Sequence, residues 1–363
     1  MIKVGIIGCG KMADNHANSI KRIAGAEIAA VCDKEPLMAQ DMSERFNIGI
    51  HFTDVQEMLQ TVKLDVVHIT TPPQSHHPLA KVCLQSGCHV YVEKPFTIDI
   101  AEAEDLIDLA NRKNLKITAG HNAQFTHAMI RMRELVKDGY LGGKPVHIES
   151  HYCYDIGDES YAKALLSDSN HWARTLPGSL LQNIISHGIS KIAEFLSGDS
   201  PTVIAHGFTS TFLKNLGENK IIDEVRVIIR DEDSMTAYFT FSSQIKPVPH
   251  QLRLYGRKNS LIVDDDHQVL IKINDKDYKS YLRYFIPPFQ YAKQYLGNFS
   301  HNFMKFLKKD FHLPNEAALK TLIASFYDSI TRNGPLPLSY REILLTSKIM
   351  DEIFLQLRPA KDI

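Results

Sequence analysis

Lys3-Val4-Gly5-Ile6-Ile7-Gly8-Cys9-Gly10-Lys11-Met12-Ala13-Asp14 decides how the rest of this chain is read. Val4, Ile6 and Ile7 form a short apolar run, the pattern of a strand buried on both faces of a parallel sheet. A turn of the form G-x-G-x-x-A follows, with Gly8, Gly10 and Ala13 at its fixed positions. Gly8 permits the tight turn off the strand. Gly10 lets a pyrophosphate approach the backbone, and Ala13 is small enough for the next helix to lie against the strand. The N–H groups at the start of that helix, aided by its dipole, then face the phosphates. A second apolar strand, Ile28-Ala29-Ala30-Val31-Cys32, ends in Asp33, twenty residues beyond Ala13. An acidic side chain at that distance can hold the ribose hydroxyls of an adenosine. Strand, turn, helix, strand and aspartate, in that order, predict a dinucleotide site.

The chain has 363 residues, 44% hydrophobic and 23% charged, enough for two medium domains with real cores. A net charge of −1 supplies no overall pull toward nucleic acid or membranes, so neither is an expected partner. The five cysteines, Cys9, Cys32, Cys83, Cys88 and Cys153, contain no C-x-x-C pair and suit a reduced, cytoplasmic setting better than a disulfide framework. No cationic, apolar leader and no bilayer-spanning run is seen. The histidines lack zinc-ligand spacing and H-E-x-x-H is absent, so no metal is expected.

Beyond the turn, strands and helices alternate. A helix is predicted from Lys11 to about Ile23, with His16 on it as a structural residue. Glu35-Pro36 starts another, and Asp54 caps a third over 55–62. The apolar strand 64–70 ends in Thr70-Thr71-Pro72-Pro73-Gln74-Ser75-His76. The strand 90–92 ends in Glu93-Lys94-Pro95, and the strand 116–119 closes the series. This alternation predicts a doubly wound parallel sheet, with ligands at the carboxyl ends of its strands. Asp33 would repel a 2′-phosphate and favours NAD, whereas Lys34 could welcome that phosphate and accept NADP.

The turn at Gly8, Gly10, Met12 and Ala13, with Thr71-Pro72-Pro73-x-x-His76 and Glu93-Lys94-Pro95, resembles the Gfo/Idh/MocA family of NAD(P)-dependent sugar and cyclitol oxidoreductases. The resemblance covers nearly the whole chain. It implies an N-terminal Rossmann domain over 1–122, an α+β domain over 123–340 with a large, mainly antiparallel sheet, and a C-terminal helix over 341–363 packing back on the body. It implies that Gly8, Gly10, Lys11, Met12, Ala13, Asp33, Lys34, Thr71, Pro72, His76, Glu93 and Asn122 hold the cofactor. It also places Lys94 near nicotinamide and substrate, with a cis peptide before Pro95.

In the second domain, His171-Trp172-Ala173-Arg174 precedes Pro177-Gly178-Ser179 and then Asn183-Ile184-Ile185-Ser186-His187. The family often has a tryptophan here, three glycines, and Asp-x-x-x-His. Asn183 and His187 match the last motif, and four-residue spacing puts both on one helix face. The resemblance implies that His187, whose pKa lies near neutral, takes the proton of a substrate hydroxyl while Lys94 stabilises the same oxygen and Asn183 orients it. Trp172 and Arg174 are expected at the substrate. Asn183 cannot shuttle a proton as aspartate would, Pro177 and Ser179 stiffen the glycine loop, and Gln124 replaces a common arginine. A catalytically silent sensor of dinucleotide or sugar is therefore the rival to a CH–OH dehydrogenase. The pocket should depend on the loop 154–169.

Further strands are predicted over 202–209, 224–229, 235–241, 251–255, 261–263 and 269–273, with Met235, Ala237, Phe239 and Phe241 facing inward. The other face gathers Arg226, Arg230, Arg253 and Tyr255, a candidate homodimer or homotetramer interface. Residues 278–312 are rich in Tyr and Phe among Lys and Arg. Pro287-Pro288 is expected to break this segment. Phe289, Ala292, Leu296, Phe299, Phe303 and Phe306 then recur at near-helical spacing, a stripe expected to pack on the core or a partner subunit. The alternative is a membrane surface or a lipid-linked sugar. Asn315 caps a helix over 316–331, and a last helix runs over 340–357.

Overall fold

Each apolar strand of the first 122 residues is followed by a helix that returns the chain along the sheet, so the strands pair in parallel. They are β1 (Ile2–Ile7), β2 (Ala26–Cys32), β3 (His51–Phe52), β4 (Val66–Ile69), β5 (His89–Val92) and β6 (Ile117–Ala119), in the order β3-β2-β1-β4-β5-β6. The connecting helices are α1 (Lys11–Ile20), α2 (Pro36–Arg45), α3 (Val55–Thr61), α4 (His76–Gln85) and α5 (Ile100–Arg112). The Asp54 carboxylate accepts the Glu57 N–H at 2.8 Å and starts α3. Strand order reverses between β1 and β4, whose register is Val4 to Val66 and Ile7 to Ile69. Their carboxyl ends therefore form the switch point where such sheets bind ligands. The computed structural model describes residues 1–156, 168, 171–232, 235–308 and 314–357. Most of the loop 154–169, the turn residues Asp233 and Ser234, and Lys309 and Phe311 lie outside the described residues.

The chain divides into two units, Met1–Asn122 with Ala318–Asp351, and Ala123–Ala317 with Glu352–Ile363. This differs from the expected division, which assigned 318–340 to the second domain. The physical reason lies in the helix Pro314–Thr331, α11 in chain order. Leu322, Ile323, Phe326 and Tyr327 on it are buried, and the Tyr327 hydroxyl bonds His68 of β4 at 2.8 Å. The Lys116 ammonium beside β6 donates to the carbonyls of Ser329 and Gly334 at the carboxyl end of α11, where a cation is favoured. The last helix, α12 (Tyr340–Leu357), runs from the first unit into the second.

In the second unit, α6 (His127–Lys137) leads to β7 (His147–Tyr152), followed by α7 (Leu180–Ile184), α8 (Ser186–Ala193), β8 (Thr202–Phe208) and α9 (Thr211–Asn215). Then come β9 (Glu224–Arg230), β10 (Thr236–Ser242), β11 (His250–Tyr255), β12 (Asn259–Asp264), β13 (Val269–Asn274) and α10 (Ile286–Leu307). The sheet order is β13-β12-β11-β7-β10-β9-β8. It is mostly antiparallel, but β7 inserts between β10 and β11 and runs parallel to β10. Met235, Ala237, Phe239 and Phe241 are all buried. The 3₁₀ turn Ser280–Tyr284 stops short of Pro287-Pro288, and these prolines open α10, where their missing N–H groups cost nothing, so the segment is interrupted where the sequence predicts. The expected packing of the aromatic stripe on the core fails: Phe289, Leu296 and Phe299 are 60–66% exposed in this chain.

Candidate active site

Gly8 has φ +92°, and a Cβ there would lie 2.6 Å from the Thr71 methyl and 3.0 Å from the Thr71 nitrogen. Only glycine suits both the dihedral and the approach of the loop after β4. The Thr70 hydroxyl donates to the Gly8 carbonyl at 2.6 Å and ties that loop to the turn. A Cβ on Gly10 would meet nothing within 4 Å, so the chain leaves open space where a pyrophosphate would lie. Gly10 precedes α1 with no side chain capping the helix, and Ala13 is fully buried behind it. Asp33 accepts the Cys9 N–H at 2.7 Å and the Glu35 N–H at 2.9 Å, one on each oxygen. Each oxygen keeps lone-pair capacity for a ribose hydroxyl. A cavity of about 660 Å³ is bordered by Gly8, Gly10, Asp33, Lys34, Thr71 and Pro72, all from the first unit. These residues fit a dinucleotide: a glycine cradle for phosphates, with an aspartate beyond it. Lys11 and Met12 begin α1 beside that cradle.

His76 is completely buried, with Nδ1 2.8 Å from the Pro95 carbonyl and Nε2 2.8 Å from the Thr71 carbonyl. Burial lowers its pKa, against the raising effect of the two carbonyls. With one N–H on its neutral ring, it donates to one of these two carbonyls and fills the space between the loops after β4 and β5. Glu93 is buried and Lys94 half-buried, at the carboxyl end of β5, and the Lys94–Pro95 peptide is cis. Burial lowers the Lys94 ammonium, with the Glu93 charge opposing. Burial pushes the Glu93 carboxyl up, but its hydrogen bond to His16, helped by the Lys94 ammonium and backbone N–H, outweighs this and holds it below its usual range.

Glu93 ends a buried polar chain. With the carboxyl ionised, His16 Nε2–H donates to Glu93 Oε1 at 2.9 Å. His16 Nδ1 then accepts from His68 Nδ1–H at 2.7 Å, and His68 Nε2 accepts from the Tyr327 O–H at 2.8 Å. Burial, then the nearby His16, holds His68 well below the ordinary histidine range, which keeps this ring neutral. Gly120 makes room for Glu93: a Cβ there would lie 2.9 Å from Oε1. The neighbouring His121 is buried, and burial pushes its pKa down to about 4, Glu93 opposing and Lys94 assisting. Sequence reasoning missed His68, His121 and Tyr327. His68 carried a signal, being a polar residue inside the apolar strand 64–70, which must find a partner when buried. Tyr327 carried none, since it arrives from 259 residues away. Asn122 starts a short 3₁₀ turn, Asn122–Phe125, at the edge of this unit.

The second unit presents the other expected residues. Asn183 and His187 do not share one helix: α7 ends at Ile184, Ile185 forms a turn, and α8 starts at Ser186. Ile185 keeps right-handed helical dihedrals (φ −71°, ψ −16°) and its carbonyl accepts the Gly188 N–H at 3.0 Å, the tighter three-residue bond. Gly188 sets the depth of α8. A Cβ there would be 2.3 Å from the Phe239 ring and 2.9 Å from Tyr152. The half-buried His187 ring packs on Tyr152 at 5.2 Å between centroids. The buried Lys191, one turn on, pairs with Asp265 and sits 5.7 Å over the same tyrosine. Ser179, at a position where the family often has glycine, holds φ +47°. Gly178 lies under the Phe354 ring, 2.3 Å from where its Cβ would be. Trp172 and Arg174 lie in the 3₁₀ turn Trp172–Thr175. Arg174 pairs with Glu218 at 2.9 Å, which engages its charge inside this unit. Gln124 donates to Glu194 at 3.2 Å.

Among the described residues no cluster of three His, Cys, Asp or Glu is placed to hold a metal, and no helix is long and apolar enough to cross a membrane. Residues 2–121 match the model of an oxidoreductase family with an NAD-binding Rossmann fold, and residues 129–262 match the GFO/IDH/MocA C-terminal domain. The D-glucoside 3-dehydrogenase of Escherichia coli is 32% identical over 142 residues, 39% of this chain and 40% of that protein. The myo-inositol 2-dehydrogenase of Thermotoga maritima is 24% identical over 141 residues, 39% of this chain and 42% of that protein. The chain thus spans about two fifths of the length of these curated relatives. Solved structures share the fold over nearly the whole chain. Scyllo-inositol dehydrogenase from Lactobacillus casei, with NAD(H) and scyllo-inositol, superposes with TM-score 0.73 at 20% identity over 98% of this chain and 97% of that one. The WlbA dehydrogenase from Bordetella pertussis, with NADH and UDP-GlcNAcA, gives 0.78 at 15% over 98% and 95%. The glycine cradle, the Glu-Lys-Pro strand end and both family matches agree: this chain belongs to the Gfo/Idh/MocA oxidoreductase family.

Proposed function

We propose that this chain is an NAD(P)-dependent oxidoreductase that moves a hydride between nicotinamide and a carbinol carbon of a sugar, cyclitol or nucleotide sugar. The observation that carries this reading is the cavity bordered by Gly8, Gly10 and Asp33, in which glycine is required at 8 and the space before 10 is open. Relatives named for glucoside and inositol dehydrogenation support the substrate class. Asp33 supports NAD over NADP, because its two oxygens suit free ribose hydroxyls and repel a 2′-phosphate. Bound nicotinamide would supply the hydride acceptor at its C4.

The chain's own groups do the rest. His187 takes the proton of the substrate hydroxyl, held by Tyr152 behind its ring. Lys94 donates to the same oxygen and its ammonium stabilises the developing negative charge. Asn183 orients the hydroxyl and Trp172 offers a flat apolar wall to a sugar ring. His76 and Arg174 act one step back, bracing the loops that carry Thr71 and Trp172. The enzyme works as a homodimer or homotetramer through its open sheet face, where Ile204, Ile228 and Tyr238 are exposed and paired across β8, β9 and β10. Five unpaired, buried cysteines support a reducing, cytoplasmic setting.

Absorbance of reduced nicotinamide at saturating NAD, or NADP, across a panel of cyclitols, hexosides and nucleotide sugars tests the reading. Reduction with at least one class is expected. Tight cofactor binding with no turnover on any class would replace the enzyme by the sensor.

A further inference from the structure

The helix α10 is built inside out. Over 22 residues the amides Gln294 and Asn298 face the protein, and Phe289, Tyr295, Phe299, Phe303 and Phe306 face away. The inward face is locked by two amides that pair with the edge strand β13 as another strand would. Asn298 Oδ1 accepts the Leu270 N–H at 3.1 Å, and its Nδ2 donates to the Leu270 carbonyl at 3.0 Å. One turn earlier, Gln294 Oε1 accepts the Lys272 N–H at 2.7 Å and its Nε2 donates to the Lys272 carbonyl at 3.0 Å. Asn298 is the buried residue of the helix. These four bonds satisfy an otherwise open sheet edge, and rotating the helix to bury its aromatics would break all of them.

The outward face carries Phe289, Leu296, Phe299, Phe303 and Leu307, each about half exposed or more, and Tyr281, Tyr284 and Phe285 extend it. That is an apolar patch on the order of 1,000 Å², larger than soluble monomers ordinarily show to water. Its charge is mainly of one sign. Between Asp277, which pairs with Arg283 at 2.7 Å, and Asp310 the sequence holds Lys279, Lys293, Lys305, Lys308 and Lys309 and no further Asp or Glu. Lys293 sits 4.6 Å over the Phe289 ring, which keeps an ammonium at the rim of the patch.

We infer that α10 is a docking face for an anionic lipid surface, lying flat on a bilayer without crossing it. A face of phenylalanine and leucine with tyrosine hydroxyls at its start and lysines at its rim matches the boundary between acyl chains and headgroups. The missing carboxylates decide between occupants. A second copy laid on this face about a two-fold axis would bring the same cations together with no acid opposite, whereas anionic headgroups supply the countercharge. The whole-protein charge of −1 is close to neutral and does not oppose the contact. The face is distinct from the proposed oxidoreductase site and does not rest on that reading.

The test uses the full chain and sedimentation with vesicles of phosphatidylcholine alone or with one third phosphatidylglycerol. Binding to the anionic vesicles is expected, weakened about tenfold by Lys293→Glu with Lys308→Glu, and weakened at least as much by Phe299→Gln with Phe303→Gln. Both pairs of changes are at the surface, and an unchanged melting temperature certifies the fold. Equal binding to neutral vesicles, no binding to either, or binding untouched by both variants overturns the inference. So does a light-scattering mass that falls to the monomer in the Phe299→Gln, Phe303→Gln protein, since the patch would then be covered by another copy.

Discussion

Gly8 and Gly188 both allow a close approach, yet for different reasons. Gly8 is demanded by its own backbone, with φ at +92°, and Thr71 then closes on it. Gly188 has ordinary helical surroundings and is demanded by its neighbours, the Phe239 ring and Tyr152. The first constraint is local to a turn of six residues. The second exists only once a helix has been laid on a sheet. The cofactor half of the proposed site is therefore written in consecutive residues, whereas the acid–base half is written in packing.

The comparison can be broken by experiment. The largest effect expected is for His187→Ala, which should lower kcat by about a thousandfold while cofactor affinity, measured by nicotinamide fluorescence, stays put. A parallel loss of cofactor affinity would mean that the two halves are not separable. Gly8→Ala should cost about 3 kcal/mol through strain and the Thr71 clash, read as a lower denaturation midpoint. Gly10→Ala has open space before it, so it should leave stability within about 0.5 kcal/mol and weaken cofactor binding instead. If Gly10→Ala binds cofactor normally, the cradle is not a phosphate site.

Acid should act on the first unit through its buried histidines. His121, lowered to about 4, binds a proton more readily when unfolded, as do His68 and His76, whose values are also lowered. Their contribution is thus fully present above about pH 6.5 and is lost as pH falls toward the folded values. For His121 this amounts to about 3 kcal/mol between pH 6.5 and 4. A His121→Phe protein should show a visibly flatter melting temperature over that window, and an unaltered slope would contradict the assignment. Gly188→Ala should destabilise by about 2 kcal/mol, by overpacking against Phe239. The smallest effect is a gain: Ser179→Gly should stabilise by about 1 kcal/mol, because Ser179 holds φ +47° without a glycine's freedom. A loss there would show that the serine side chain holds something.

How much could be read in advance follows the same line. The turn at Gly8, the aspartate at 33 and the cap at Asp54 all act within a few residues of themselves, and each was legible. Arg174 pairs with Glu218, 44 residues on, and no local pattern announces that partner. His76 lies between two carbonyls from separate loops, a setting that the sequence around it does not show. Helix α10 is the plainest case. Its period showed two faces, yet the partner that chose the inward one was the open edge of β13, which needed amides and took Asn298 and Gln294.

Sequence alone determined the parallel sheet, the glycine turn after its first strand and the pattern of buried strands, because glycine dihedrals and apolar period act over short stretches of chain. Tertiary structure alone decided that α11 joins the nucleotide unit, that Glu93 is anchored through His16 and His68 to Tyr327, and which way α10 faces. Those outcomes turn on satisfying buried polar groups across long separations, and a hydrogen-bond partner 259 residues away leaves no mark on the local pattern.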